Sequence, residues 1–100
     1  MMVKIKLVGC QFHPASAKCI ENEVVRVIRD PNNKFDPEAI KVVNGLGELI
    51  GYVGTDKTVS RGNRKNGCID NQQLGNIMGF EARGIITKFK EYFGFIEVDL

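Results

Sequence analysis

Apolar residues in this chain occur in short runs, and turn-forming residues separate each run from the next. "VKIKLV" alternates apolar residues with lysines, at the period of two that is typical of a half-buried strand. "EVVRVIRD" is rich in β-branched residues and predicts a second strand. Four further runs have the same character, with "NGLG" as a hairpin signal between the first two: "AIKVVN", "ELIGYVG", "FEARGIITKF" and "YFGFIEVDL". The pattern predicts about six strands.

Helical signals are few and local. Asp36 in "DPEA" has the position of an N-cap before a helical turn, and "DNQQLGNIM" predicts a short helix capped by Asp70 or Asn71. "CQFHPASAK" is read as a loop because Pro14 and small residues break the strand pattern. The polar segment 55–67 predicts a mobile loop without a helix.

These elements indicate a fold class that is mostly β. Short strands around one core predict a small six-stranded barrel or sandwich with one or two short helices, since parallel βαβ units need longer helices. A length of 100 residues suits one domain, 1–100. The apolar runs are too short to span a bilayer, and no leader pattern begins the sequence, so we expect a cytoplasmic protein.

Composition excludes some functions. The net charge of +2 is too low for a protein that coats duplex DNA non-specifically, so any basic surface must be local, as in "KTVSRGNRK". Three cysteines without a CxxC pair predict reduced, mostly buried thiols, and neither a disulfide framework nor a zinc site. We expect no cofactor and no metal.

The connection "RDPNNKFDPEAIKV", Arg29 to Val42, is long for a hairpin and unusually rich in proline, asparagine and aspartate. A plain β-turn needs only about four residues. Two interpretations stay open at this point. The segment is either a structural loop that caps itself, or a loop that holds amides and carboxylates ready for a ligand.

With "VGCQFH" from Val8 and "IGYV" from Ile50, this connection resembles the HIRAN domain family. That family has the core pattern Arg-Asp/Glu-Pro-x-Asn-x-Tyr/Phe-Asp-x-x-Ala-Ile-x-Val, which the chain matches without gaps. The resemblance covers about Val3 to Val53 well and the remainder weakly, and is closest to stand-alone bacterial or phage-type members. It implies a six-stranded, OB-like barrel. It also implies a non-catalytic module that captures single-stranded DNA at its 3′-hydroxyl end, as in DNA-repair remodellers.

The resemblance also implies roles for individual residues. Phe12 and His13 match positions where aromatic rings stack on the terminal bases, an interaction that every base can make. Asp36 matches the acid that accepts a hydrogen bond from the 3′-hydroxyl and would repel a 3′-phosphate. Asn33 matches an amide that reads a base edge or a sugar.

Other matched positions differ from the DNA-binding members. Gln11 stands in place of an Arg, and His13 in place of a second Tyr. Tyr52 and Thr55 match a His and a Lys that approach phosphate, and Lys57 follows two residues later. The basic segment 57–65 is a candidate source of the missing phosphate contacts.

Each of these residues also has a purely structural interpretation. Asp36 serves as an N-cap, Asn33 as a turn residue and Phe12 as a plug for the barrel end. An enzyme alternative is a metal-dependent nuclease using Asp30, Asp36 and Glu38 with His13, although the family resemblance argues against it. The remaining alternative is a protein-interaction or assembly domain that keeps the barrel and has lost DNA binding.

Overall fold

A computed structural model describes residues 1–100 and contains strands, two α-helices and two short 3₁₀ helices. The strands are β1 (Met2–Val8), β2 (Val24–Arg29), β3 (Ile40–Val43), β4 (Leu49–Val53), β5 (Cys68–Ile69), β6 (Glu81–Lys90) and β7 (Phe93–Asp99). The α-helices are α1 (Arg61–Lys65) and α2 (Asn71–Gly75), and the 3₁₀ helices are Cys10–Phe12 and Pro14–Lys18. Neither five-residue α-helix has the length that crossing a membrane requires.

Six of the strands form a closed ring. Hydrogen-bonded neighbours follow the order β4-β3-β2-β6-β7-β1, and β1 pairs again with β4, so the antiparallel sheet closes on itself. β5 lies outside the ring and pairs in parallel with the first half of β1. The predicted mostly-β fold, a six-stranded barrel with short helices, is confirmed. β5 was not predicted because two residues are too few to show an alternation.

The barrel is filled by the apolar residues that alternate along each strand. β1, for example, turns Ile5 and Leu7 inward and leaves Lys4 and Lys6 on the outer surface. One cluster of 14 buried residues joins all six strands of the ring to α2. Its members are Ile5, Leu7, Cys10, Val25, Val27, Ile40, Val42, Ile50, Val53, Leu74, Met78, Ile86, Ile96 and Val98.

Two predicted loops contain short helices. The segment 55–67, expected to be a mobile loop, holds α1, because Ser60 and Asn63 exchange side-chain and backbone hydrogen bonds in a capping box. "CQFHPASAK", also expected to be a loop, forms the two 3₁₀ helices, the second of which starts at Pro14. In α1 the capping box outweighs the polar composition on which the loop prediction rested, whereas the 3₁₀ helices have no side-chain cap and rely on backbone hydrogen bonds such as His13 N–H to the Cys10 carbonyl.

The helical turn predicted for "DPEA" is not a helix. Asp36 Oδ1 accepts a hydrogen bond from the Glu38 N–H at 2.8 Å, as an N-cap would, and the Ala39 N–H binds the Asp36 carbonyl at 3.1 Å. The chain makes this one turn and then enters β3 at Ile40, so no helix follows. The helix predicted for "DNQQLGNIM" is present as α2, with Asp70 as its N-cap.

Arg29, the last residue of β2, fastens α2 to the barrel. Its guanidinium donates to the carbonyl oxygens of Gly75, Met78 and Gly79, which follow from the end of α2. A charged donor that serves several otherwise unpaired carbonyl groups at a helix end is among the stronger hydrogen-bonding arrangements. Arg29 therefore sets the position of α2 relative to the strand that leads into the 29–42 connection.

Ring closure depends on a glycine in β4. A Cβ atom built on Gly51 would lie 2.6 Å from the Val8 carbonyl oxygen and 2.8 Å from Leu7 Cδ1. Only a residue without a side chain allows β4 to approach β1 this closely. We therefore expect Gly51→Ala to reduce the free energy of unfolding by about 1–3 kcal/mol, the usual cost of overpacking, in urea denaturation.

The matched control is Gly45→Ala, because a Cβ atom at Gly45 meets nothing within 4 Å. That variant should unfold within about 0.5 kcal/mol of the wild type. If the two variants were equally stable, close packing at the β1–β4 seam would not limit the fold.

An ion pair between the half-buried Arg64 and the buried Asp70 links α1 to the cap of α2. Arg64 contacts Asp70 Oδ2 at 2.9 Å and the exposed Asp56 Oδ1 at 2.9 Å. Burial acts to raise the pKa of Asp70, but hydrogen bonds from the Gln73 N–H and from Arg64 outweigh it and lower that pKa below 3.8. The stabilisation that this carboxylate contributes is therefore complete above about pH 4 and is lost as the pH falls through the folded-state pKa.

We expect Asp70→Asn to lower the free energy of unfolding at pH 7, and the difference from the wild type to shrink below pH 4. Asparagine is also a good N-cap, so the substitution removes the charge and keeps the cap. Asp56→Asn serves as the control, since the Asp56 side chain is 84% exposed and an exposed pair contributes little. Chemical denaturation at several pH values measures both variants. A difference between Asp70→Asn and the wild type that did not shrink as the pH fell below 4 would contradict the ion-pair explanation.

Candidate nucleic-acid interface

Four of the predicted binding residues lie around one open cleft of about 210 Å³. They come from the 29–42 connection, from the end of β4 and from the turn after it. The cleft is smaller than the roughly 300–1,000 Å³ that is usual for small-molecule pockets. Its lining consists of Asn33, Phe35, Asp36, Ala39, Tyr52, Val53, Thr55 and Asn71.

Asn33 organises the connection. Its Oδ1 accepts hydrogen bonds from the backbone N–H groups of Phe35 at 2.9 Å and Asp36 at 3.1 Å. Its Nδ2 donates to Asp30 Oδ2 at 3.2 Å and approaches the Tyr52 hydroxyl at 3.5 Å. The expected turn role of Asn33 is therefore present, and the same side chain lines the cleft.

Asp36 is held at both of its carboxylate oxygens. Oδ1 accepts from the Glu38 N–H, and Oδ2 accepts from Asn71 Nδ2 at 3.2 Å. Asn71 also donates to the Glu38 carbonyl oxygen at 3.2 Å, so the first residue of α2 fixes the connection. Each carboxylate oxygen keeps capacity for a second hydrogen bond, which leaves Asp36 able to accept from a ligand.

Asn71 was not predicted as a site residue. The spacing of Asp70 and Gln73 in "DNQQ" does identify a capping box, which makes Asn71 the first residue of the helix. Nothing in the sequence indicates that its amide reaches Asp36, 35 positions earlier in the chain. Asn71 is nevertheless buried and lines the cleft.

Of the two aromatic residues predicted after β1, His13 lies beside the cleft, against Tyr52. Gly9 takes a positive φ of 75° and starts the 3₁₀ helix that carries Gln11 and Phe12, both of which are exposed. The ring of His13 lies 5.9 Å from the ring of Tyr52, centroid to centroid. Phe12 is 74% exposed and so does not plug the barrel.

A second depression of about 520 Å³ continues from the cleft and contains Lys57. The two share Phe35, Asp36, Thr55 and Asn71, so five of the eight residues predicted for the site line one continuous surface: Asn33, Asp36, Tyr52, Thr55 and Lys57. His13 adjoins this surface through its contact with Tyr52, and neither Gln11 nor Phe12 lines it. Acidic groups outnumber Lys57 in this depression. They are Asp36, Glu38, Asp56 and Asp70.

The carboxylates of the nuclease alternative have separate partners. Asp30 Oδ2 accepts from the Tyr52 hydroxyl at 3.4 Å, and Glu38 Oε2 accepts from Gln72 at 2.8 Å. No group of three or more His, Cys, Asp or Glu side chains has the arrangement of a metal site.

The thiols are protonated at neutral pH. Burial, with a smaller contribution from neighbouring charge, raises the pKa of Cys10 and of Cys19 to about 11. Burial also raises the pKa of Cys68. All three cysteines are free, with Cys10 and Cys68 buried and Cys19 half-buried. Such thiols are poor nucleophiles, because the thiolate is the reactive form.

Tyr52 has a raised pKa. Burial is the largest cause, and the negative charge and hydrogen bond of Asp30 add to it because both disfavour a phenolate. The chain contains two tyrosines, so Tyr92→Phe leaves Tyr52 as the only phenol. In that background we expect ultraviolet titration to give a pKa above 10.0, and Asp30→Asn to lower it.

Glu21→Gln in the same Tyr92→Phe background is the control, since Glu21 is exposed and has no contact with Tyr52. It should leave the phenol titration unchanged. An equal response to both substitutions would mean that overall charge, and not Asp30, acts on Tyr52.

Comparisons with known proteins agree with this fold. The family model described as "HIRAN domain" matches residues 1–69. The crystal structure of the HIRAN domain of human HLTF superposes with a TM-score of 0.64 at 21% sequence identity, over 97% of this chain and 72% of that chain. A search of curated proteins finds no match.

The matched residues define a small β-barrel binding module, and the chain belongs to the HIRAN domain family. The predicted resemblance to the HIRAN domain family is thus confirmed, and so is the OB-like character of the barrel. HIRAN domains are known as DNA-binding modules, so membership supports nucleic-acid binding. A HIRAN domain is a binding domain and is not catalytic by itself.

Proposed function

We propose that this protein captures single-stranded DNA at its 3′-hydroxyl end. The terminal nucleotide would occupy the cleft between the 29–42 connection and the end of β4. The observation that supports this proposal most directly is the position of Asp36, which lines the cleft and whose carboxylate is held at both oxygens, by the Glu38 N–H and by Asn71. We also infer that residues 1–100 form one domain, because one core joins all six ring strands.

The charge of Asp36 favours a hydroxyl over a phosphate. A carboxylate is only an acceptor of hydrogen bonds, so a terminal hydroxyl can donate to it, whereas a terminal phosphate meets it as a like charge. Because the carboxylate is already fixed by two protein donors, it cannot turn away from an incoming phosphate without losing them. The same geometry therefore both attracts one end and repels the other.

Exposed aromatic rings supply the stacking surfaces. Phe12 is 74% exposed and Phe35 is 97% exposed, while the rings of His13 and Tyr52 lie against each other. Stacking on a base contributes about 1–3 kcal/mol per base. Phe35 was expected only as a family-pattern residue, and its exposure at the cleft makes it a further candidate for stacking.

The remaining predicted residues would make the polar contacts with the bound DNA strand. Asn33 lines the cleft and would bind a base edge or a sugar, and Tyr52, which also lines it, would approach a phosphate. Gln11, Thr55 and Lys57 would approach the backbone, with only Lys57 charged. Few cations near the cleft imply a weak dependence of end binding on salt. Service in a cytoplasmic DNA-repair assembly stays a prediction.

The test is fluorescence anisotropy of short labelled single-stranded DNA with a 3′-hydroxyl or a 3′-phosphate. We expect the wild type to bind the hydroxyl end at least tenfold more tightly, a difference of about 1.4 kcal/mol. Asp36→Asn should reduce this preference several-fold, because it keeps the size of the side chain and removes the charge.

Glu21→Gln is the matched control, since it removes the same charge from an exposed side chain that lines neither the cleft nor the depression beside it. It should leave the preference between the two ends unchanged. Equal, weak binding of both ends that vanishes with salt would refute end capture. The 29–42 connection would then be a structural clasp, and a protein partner would be the better hypothesis.

A further inference from the structure

Lysines and phenylalanines alternate across the outer surface of β1, β7 and β6. In the sheet register Lys6 lies opposite Phe95, Phe95 lies opposite Lys88, and Phe93 lies opposite Lys90. Lys4 extends the row along β1. We call this surface the lysine–phenylalanine face: Lys4, Lys6, Lys88, Lys90, Phe93 and Phe95.

The four lysines are not neutralised by ion pairs. The salt bridges of the chain involve only Arg26 and Arg64 as cations. Lys4 and Lys6 instead donate to the backbone carbonyl oxygens of Asn66 at 3.1 Å and Thr58 at 3.2 Å. Glu97, opposite Lys4 in the register, is the acidic residue within the row. The face therefore carries an excess of positive charge, unlike the cleft.

The aromatic rings of the face form a small cluster. Phe93 and Phe95 meet edge to face, with their centroids 6.0 Å apart, and Lys6 Nζ lies 5.3 Å from the centroid of Phe93. Phe93 is among the exposed large apolar side chains of the protein. A cation held over one ring orders both the lysine and the phenylalanine before any ligand arrives.

A cavity of about 420 Å³ lies within this face, and its lining consists of Lys4, Asn63, Asn66, Cys68, Thr87, Lys88, Phe95 and Glu97. Among these, Asn66 uses its carbonyl oxygen for Lys4, while its side-chain amide makes no hydrogen bond within the chain. Asn63 uses only Oδ1, in the capping box, so its Nδ2 group is free. The cavity thus combines two cations, one carboxylate, an aromatic ring and two amide NH₂ groups that have no partner within the chain.

We propose that the lysine–phenylalanine face is a second nucleic-acid site, which binds the body of a single strand irrespective of its ends. The lysines match a polyanion, the phenylalanine rings match unpaired bases, and the free amides match base edges or phosphate oxygens. A duplex buries its base faces, and an acidic peptide offers no regular supply of rings. The combination therefore fits a single-stranded nucleic acid.

This site does not depend on end capture at the cleft. The two are joined by the turn after β4: Thr55 lines the cleft, and the Thr58 carbonyl oxygen binds Lys6. Because acidic groups crowd Lys57, the phosphates of a bound strand find their stronger partners on the lysine–phenylalanine face. A circular single strand distinguishes the two sites, because it has no end and so can bind only to the lysine–phenylalanine face.

The first test is fluorescence anisotropy with a labelled circular single-stranded oligonucleotide. We expect wild-type protein to bind it with marked salt dependence, and Lys88→Glu/Lys90→Glu to weaken binding at least tenfold. The slope of log affinity against log salt should fall by about 1.4, since each lost phosphate contact changes it by about 0.7. Lys18→Glu/Arg83→Glu is the control, an equal charge change at exposed positions outside the face.

The second test addresses stacking. Phe93→Leu keeps an apolar side chain and removes the aromatic ring, and it should weaken circular-strand binding by about 5- to 150-fold, the range for loss of one stacked base. Circular dichroism and thermal unfolding establish that each variant is folded. The hydroxyl-to-phosphate preference of linear strands should be unchanged in Lys88→Glu/Lys90→Glu.

The outcomes are distinct from those of end capture. Suppose that the wild type binds both ends of linear strands equally, yet binds circular strands in a way that depends on Lys88 and Lys90. This result would refute the proposed function and support the second site. No binding of circles, or equal loss in the variant and its charge control, would overturn the second site. The labelled circular strand could also be displaced by unlabelled circular DNA or by polyglutamate of equal charge. If polyglutamate displaced it equally well, the second site would be overturned, because the face would then bind any polyanion.

Discussion

The pairing of β1 with β4 is the constraint on which the remaining structure depends. Only two register pairs, Leu7 with Val53 and Val8 with Tyr52, close the ring, and the absence of a side chain at Gly51 lets the strands meet. β7 pairs along the whole opposite edge of β1. The closure places Tyr52 beside the 3₁₀ helix that follows β1. Without it, the aromatic residues and the cleft would lie on unconnected parts of the chain.

The sequence left two interpretations of the 29–42 connection: a loop that caps itself, or a loop that holds polar groups ready for a ligand. The structure shows a self-capped loop organised by Asn33. Its amides and carboxylates are nevertheless not all consumed internally. Asp36 keeps acceptor capacity at a cleft, and Asn71 supports it from a distant helix. The structural roles and the proposed binding roles therefore fall on the same side chains, because a loop that presents a fixed carboxylate needs fixed donors around it.

Local periodicity was enough to predict the ring strands, since each buries one face and alternates accordingly. The contact between Asn71 and Asp36 was beyond such reasoning, because it depends on how α2 is docked. α1 could have been predicted, since Ser60 and Asn63 have capping-box spacing. The lysine–phenylalanine face could not have been predicted from the sequence, because Lys6 and Phe95 become neighbours only through the register of β1 and β7.

Arg29 has a consequence for the thermodynamics of binding. By holding three carbonyl groups after α2, it joins the helix that carries Asn71 to the strand that leads into Asn33 and Asp36. Much of the entropy lost in ordering the cleft is thereby lost during folding and not on contact with a ligand. A ligand that enters the cleft meets a preorganised receptor, so more of its stacking and hydrogen-bond energy is expressed as affinity.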